Sequence, residues 1–177
     1  EPVEPEAYRQ SLTWTPDGLP TLDPHESLLR LLAAPNIASK RWVYRQYDSE
    51  VQTQTMYGPG SADAAVLAPR GTKRGIAFSL DGNSRWCAQD PYVGGVAAVC
   101  EAARNVACTG AKPVALTDGL NFGNPQLGHV FWQFERAVRG IADAAEAIEA
   151  PVISGNVSFY NESDLGEVPP TPLIGAL

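Results

Sequence analysis

The stretch 114–162, VALTDGLNFGNPQLGHVFWQFERAVRGIADAAEAIEAPVISGNVSFYNE, holds one strand–loop–helix–strand unit of the fold. Its middle is a helix. Between His129 and Ala150, Val130, Phe134, Val138, Ile141, Ala145 and Ile148 recur at steps of three and four and line one face. Glu135, Arg139, Asp143 and Glu146 take the opposite face. The apolar run Val114–Thr117 before it predicts a strand, and Pro151–Ser154 after it predicts another. Asp118–Gly128 and Gly155–Glu162 are rich in Gly, Asn, Asp and Ser, and read as loops following those strands.

Toward the N-terminus the pattern repeats. Ile76–Leu80 reads as a strand, Asp81–Gly94 as a long loop and Val96–Cys108 as a helix apolar almost all round, hence buried. The order strand, loop, helix, strand, loop, helix, strand is a split βαβ-type pattern. It predicts an α+β fold, a sheet with helices on one face. Further out, Ala64–Ala68 and Val51–Met56 are short strand candidates around a YGPGS turn at 57–61. Ala38–Tyr47 and His25–Ala34 are helix candidates, the second capped by Asp23, opened by Pro24 and ended by Pro35. Residues 1–24 hold five prolines and little periodicity and read as an extended arm.

Composition narrows the function. Hydrophobic residues make 44% of the 177 and charged residues 19%, enough for a core in one domain with additional arms. Sixteen glycines and fifteen prolines are roughly a sixth of the chain, against about an eighth in an average protein. The excess predicts many turns. A net charge of −7 argues against non-specific nucleic-acid or anionic-membrane binding. It still allows a phosphorylated small molecule, held by backbone N–H groups and metal ions. Three cysteines, Cys87, Cys100 and Cys108, have no CxxC spacing and indicate neither a disulfide framework nor a zinc site. Reduced thiols and the lack of a long apolar run make the cytoplasm the expected compartment, with no membrane partner. The chain begins at Glu1 and stops at Leu177 inside TPLIGAL, which reads as mid-strand, so an excised piece is expected.

Chemistry is sought in the loops, because strand-end loops on a rigid sheet collect binding groups. Asp81–Asn83 with Arg85 reads first as a tight turn and only second as a binding loop. Asp118 ends a buried-looking strand, where a carboxylate is costly unless paired or bound to a cation; an Asx-turn before Pro125 is the plainer reading. In ISGNVSFYNE (153–162), Gly155 allows close approach to a phosphate and Asn156 offers an oxygen suited to Mg²⁺. Ser158 can donate to an anion, and a simple turn is again the alternative. On Val96–Cys108, Glu101, Arg104 and Asn105 share one helix face, either as a self-satisfied Glu–Arg pair or as part of a cation site. No Walker A or GxGxxG pattern, and no Ser-His-Asp or Cys-His set, is present.

These stretches, with NIASKRWVYRQYDSEVQTQT (36–55), DGNSRWCAQDPYVGG (81–95), EAARNVACTGAKP (101–113) and WQFERAVRGIADA (132–144), resemble the PurL-type subunit of phosphoribosylformylglycinamidine synthase, from about Thr21 to Leu177. The resemblance implies an AIR-synthase (PurM)-like N-terminal domain at 63–177, truncated at its C-terminal end. It would be preceded by an extended and helical linker at 1–62, and the two together belong to the second half of the subunit. It implies a purine-biosynthesis ligase that takes formylglycinamide ribonucleotide, ATP and glutamine-derived ammonia to formylglycinamidine ribonucleotide. By the same resemblance Asp118 and Gly155 contact ATP, Asn156 binds Mg²⁺ and Ser158 contacts the substrate. Asp63, Glu101 and Asn105 resemble a metal set at an auxiliary nucleotide. The family's catalytic histidine lies in a His-rich loop of the first half, and Asp81–Ser84 here has none, so the isolated piece is expected to be inactive. The implied partners are the other half of the subunit, the glutaminase and small accessory subunits, or a second copy of the piece alone. The competing reading is a non-catalytic module that holds a structural nucleotide and pairs with the catalytic half. A thiamine-phosphate or selenophosphate enzyme of the same superfamily is disfavoured by DGLNFGNP and ISGNVSFYNE.

Overall fold

A computed structural model describes residues 1–177. The helices are α1 (Glu6–Ser11), α2 (Pro24–Ala33), α3 (Arg41–Tyr44), α4 (Ser84–Gln89), α5 (Pro91–Cys108) and α6 (Gly128–Ala147). The strands are β1 (Thr55–Tyr57), β2 (Ala65–Leu67), β3 (Ile76–Asp81), β4 (Leu116–Asn121), β5 (Val152–Ser158), β6 (Glu162–Ser163), β7 (Gly166–Glu167) and β8 (Thr171–Ala176). Six of them form one mixed sheet in the order β1-β2-β3-β8-β4-β5, and β6-β7 is a separate hairpin. The last strand is inserted between β3 and β4, antiparallel to both. Only β4 and β5 are parallel, joined by α6 as a βαβ unit. The α+β expectation holds.

Side-chain alternation tells which face is covered. On β8, Pro172, Ile174 and Ala176 are buried toward the helices. Their register partners Leu120, Asp118 and Leu116 on β4 point the same way, and Ser79 on β3 donates to the Ala102 carbonyl of α5 at 3.0 Å. The core joins Leu116, Leu120, Phe122 and Ile174 to Val99, Val106, Val130 and Ile141 of α5 and α6. The other sheet face carries no helix, and Ile76, Phe78 and Leu80 of β3 stand exposed on it.

α5 and α6 pack at backbone distance. A Cβ on Gly95 would meet the Ala137 carbonyl oxygen at 2.5 Å, and one on Gly140 would crowd the carbonyl group of Tyr92, its carbon at 3.0 Å. Small residues at the crossing let the two helices approach this closely. The side of the pair is closed by the N-terminal segment. Val3 N–H donates to the Gly128 carbonyl at 2.9 Å, the Tyr8 ring lies 4.9 Å from Trp132, and Tyr8 Oη donates to Asp90 at 3.2 Å.

Several elements differ from the sequence expectation. The segment 81–94 is no long loop: Asn83 accepts from the Arg85 and Trp86 N–H groups and caps α4, and Asp90 caps α5 through Val93 N–H. The arm holds α1, the helix expected over 38–47 shrinks to α3, and the strand expected at 51–56 is β1 preceded by a 3₁₀ turn at Val51–Thr53. Above all, β4 and β5 run through the two segments read as loops.

Candidate functional site

Asp118 and Gly155 are direct register partners on β4 and β5, and Gly119 pairs with Asn156 and Asn121 with Ser158. The residues singled out in two distant segments are thus neighbours, but as strand residues rather than loop residues. β5 is the outermost strand and Val152–Val157 are all exposed, so the group lies along a free sheet edge.

The pleat divides the group between two faces. The Asp118 carboxylate lies over Gly155: a Cβ there would stand 2.7 Å from Asp118 Cγ and 2.8 Å from the Asp118 carbonyl oxygen. Gly155 is required by its neighbour's side chain rather than by a turn. Asn156 leans over Gly119 on the helix-free face, which it shares with Ser154 and Ser158; Ser154 Oγ donates to Thr117 Oγ1 at 2.8 Å. No cation stands within 4.0 Å of Asp118, and desolvation raises its carboxyl above the ordinary aspartate range. A partly buried carboxylate with no partner is a site for a cation or a hydrogen-bond donor.

No cluster of three or more His, Cys, Asp or Glu side chains that could cage a metal is present. The exposed Asn156 amide at the sheet edge suits an ion carried by phosphates. Mg²⁺ commonly keeps waters and substrate phosphates and takes only one or two protein ligands.

The other set behaves differently. Asn105 Nδ2 donates to Asp81 Oδ1 at 2.9 Å, while Asp81 Oδ2 is buried without a partner. Asp63 and Asp81 line one cavity of about 720 Å³ beside Tyr44 and Gly60. Glu101 forms no ion pair, and the alternative Glu101–Arg104 pair is not formed either. Asp81 is readable from the sequence only as part of a turn; its partner Asn105 lies 24 positions away on α5, so no local signal marks the pair. Cys87 is buried and its thiol is pushed up to about 12, chiefly by desolvation, so it is chemically quiet. No helix is long and apolar enough to cross a membrane.

The family described as AIR synthase related protein, N-terminal domain, matches residues 61–177. The chain belongs to that family. Within it, the chain is similar to the phosphoribosylformylglycinamidine synthase subunit PurL of Moorella thermoacetica, with 58% identity over 84% of this chain and 20% of that protein. The PurL subunit of Thermosynechococcus vestitus is 53% identical over 98% of this chain and 24% of its own length. Among solved structures, PurLQS from Thermotoga maritima superposes with a TM-score of 0.72 at 32% identity, covering 78% of this chain and 23% of that one. T. maritima PurL has also been solved in complex with ATP and with FGAR. The chain therefore spans about a fifth to a quarter of the length of these relatives. The resemblance to the PurL-type subunit read from the motifs is borne out.

Proposed function

We propose that this chain is the nucleotide- and substrate-gripping edge of a PurL-type ligase, which converts FGAR, formylglycinamide ribonucleotide, to its amidine with ATP and ammonia. The observation that carries this is the register of β4 on β5. It sets an unpartnered carboxylate on β4 beside a Cβ-free position and an exposed amide on the uncovered strand β5. Asp118 and Gly155 take ATP, Asn156 takes the Mg²⁺ that ATP carries, and Ser158 takes the substrate. Bound Mg²⁺ supplies charge neutralisation at the phosphates. Because Asp118 and Asn156 face opposite sides of the sheet, a nucleotide held by both wraps the free edge of β5 rather than resting on one face.

The reading divides the labour of the longer protein. No His-rich loop stands in this chain, so the acid–base group comes from elsewhere in the subunit. The exposed Ile76, Phe78 and Leu80 on the helix-free face make that face the surface for the other half, or for a second copy of the isolated piece. A glutaminase subunit delivers the ammonia. Asp63, Glu101 and Asn105, the last held by Asp81, are assigned to an auxiliary nucleotide position; they make no metal cage by themselves, so a cation there would come with the nucleotide's phosphates.

Asn156→Ala in the full-length subunit separates this from a purely structural module. With the fold intact by circular dichroism, ATP-dependent turnover is expected to fall about 10–100-fold, the usual cost of disturbing a metal's surroundings. Unchanged kinetics would reject the assignment.

A further inference from the structure

We infer that Asn161 is a positioning residue that turns the Ser158 hydroxyl into a hydrogen-bond acceptor, so that Ser158 takes a donor group of the substrate and not a phosphate oxygen. The inference rests on the reading of Ser158 as a substrate contact.

The geometry begins with the Asn161 amide. Its Nδ2 lies 3.0 Å from the Phe122 carbonyl oxygen and 2.9 Å from the Ser158 carbonyl oxygen. Carbonyls only accept, so the nitrogen must sit on their side, with its hydrogens turned toward them. That fixes the amide's orientation. The Ser158 Oγ lies 3.2 Å from Asn161 Oδ1 and 3.1 Å from Nδ2. Oδ1 can only accept and has no other donor, so the Ser158 proton goes to it, while Nδ2 also approaches Ser158 Oγ as a donor. With its proton committed, what the hydroxyl has left to offer is a lone pair.

The same residue fastens the ends of both site strands. Phe122 N–H donates to the Ser158 carbonyl at 3.0 Å, Asn161 N–H donates to the Phe122 carbonyl at 3.2 Å, and Val168 N–H donates to the Asn161 carbonyl at 3.0 Å. Tyr160, just before it, is held at φ 58, a left-handed conformation uncommon outside glycine, and its N–H donates to the Gly123 carbonyl. The turn after β5 is bent so that Asn161 returns under Ser158. Of the chemical groups on FGAR, the ribose hydroxyls and the amide N–H groups are donors, and its phosphate is not; the first two classes fit this acceptor.

The test uses the full-length subunit, with an ammonium salt as nitrogen source and FGAR and ATP varied in turn. Ser158→Ala is expected to raise the KM for FGAR about tenfold, the scale of one hydrogen bond, with the KM for ATP unchanged. Asn161→Ala is expected to raise the FGAR KM similarly, and the double variant to be no worse than about twofold beyond Ser158→Ala, because both remove one contact. Asn161→Asp retains an oxygen for the Ser158 proton but loses both donors to the carbonyls. Its melting temperature falls while its FGAR KM recovers at least about threefold toward wild type relative to Asn161→Ala. If Asn161→Ala unfolds, Asn161→Asp is read directly against Ser158→Ala, and a KM as high as that of Ser158→Ala overturns the inference. A wild-type KM in Asn161→Ala, or independent effects that multiply in the double variant, also overturns it. A wild-type KM in Ser158→Ala instead defeats the substrate reading on which it rests.

Discussion

Gly155→Ala is expected to lower ATP affinity by about 100-fold, the scale of loss when a binding group is displaced by about an ångström. The new methyl would occupy the space of the Asp118 carboxylate and crowd the Asp118 carbonyl oxygen at 2.8 Å. The carboxylate has to swing away, and the β4–β5 pairing has to open slightly. Overpacking of this kind costs about 1–3 kcal/mol of stability. The two effects come apart in a double variant. Adding Asp118→Ala to Gly155→Ala removes the side-chain part of the clash, so stability is partly recovered, but ATP binding stays lost because the carboxylate is gone. Isothermal titration of ATP and urea unfolding of both variants check this. An alanine at 155 that leaves ATP affinity intact means that Asp118 does not hold the nucleotide.

The second large effect is on the fold. In an exposed helix interior, Gly→Ala stabilises by roughly 1 kcal/mol through backbone entropy. At Gly140 the sign reverses. A Cβ there would crowd the Tyr92 carbonyl, with its Cα at 3.2 Å, and on the facing helix Gly95 has no slack against Ala137. Both obstacles are backbone, so no rotamer change relieves them. α5 and α6 must move apart, opening the layer that holds Val99, Ala137 and Ile141. Gly140→Val is expected to cost about 3 kcal/mol or more, at the top of the overpacking range. That corresponds to a drop of roughly 10 °C in melting temperature for a chain of this size. Differential scanning calorimetry of the chain measures it directly.

How much of this was legible in the sequence depends on the element. α6 was legible as a helix from its apolar spacing, but only Val130, Ile141 and Ala145 of that stripe are buried; Val138 is exposed, and the small residues Ala137, Gly140 and Ala144, with Trp132, complete the covered face because α5 packs there at backbone distance. α5 was legible as a buried helix, though its start at Pro91 was hidden behind two glycines that read as loop. They serve close packing instead: Gly94 lies against Cys87, and Gly95 against Ala137. The site residues were legible by type but not by conformation. Asp-Gly at 118–119 and Gly-Asn at 155–156 are strong turn signals, and local chemistry ended both strands there. Tertiary pairing overrode it. Asp118–Asn121 is hydrogen-bonded between β8 on one side and β5 on the other, and a strand held on both sides outweighs a turn preference. Opposite faces for Asp118 and Asn156 follow from that pairing and could not be read without it. Asn161 carried no signal of its own within SFYNE, since its role depends on two carbonyls, one of them 39 positions away.

The most direct test is hydrogen–deuterium exchange of the full-length subunit with and without ATP and Mg²⁺. Added protection is expected along Leu116–Asn121 and Val152–Ser158, where the outer strand now exposes its backbone to solvent. Exchange in both strands that is the same with and without nucleotide, in a subunit that binds ATP, contradicts a nucleotide site on this edge.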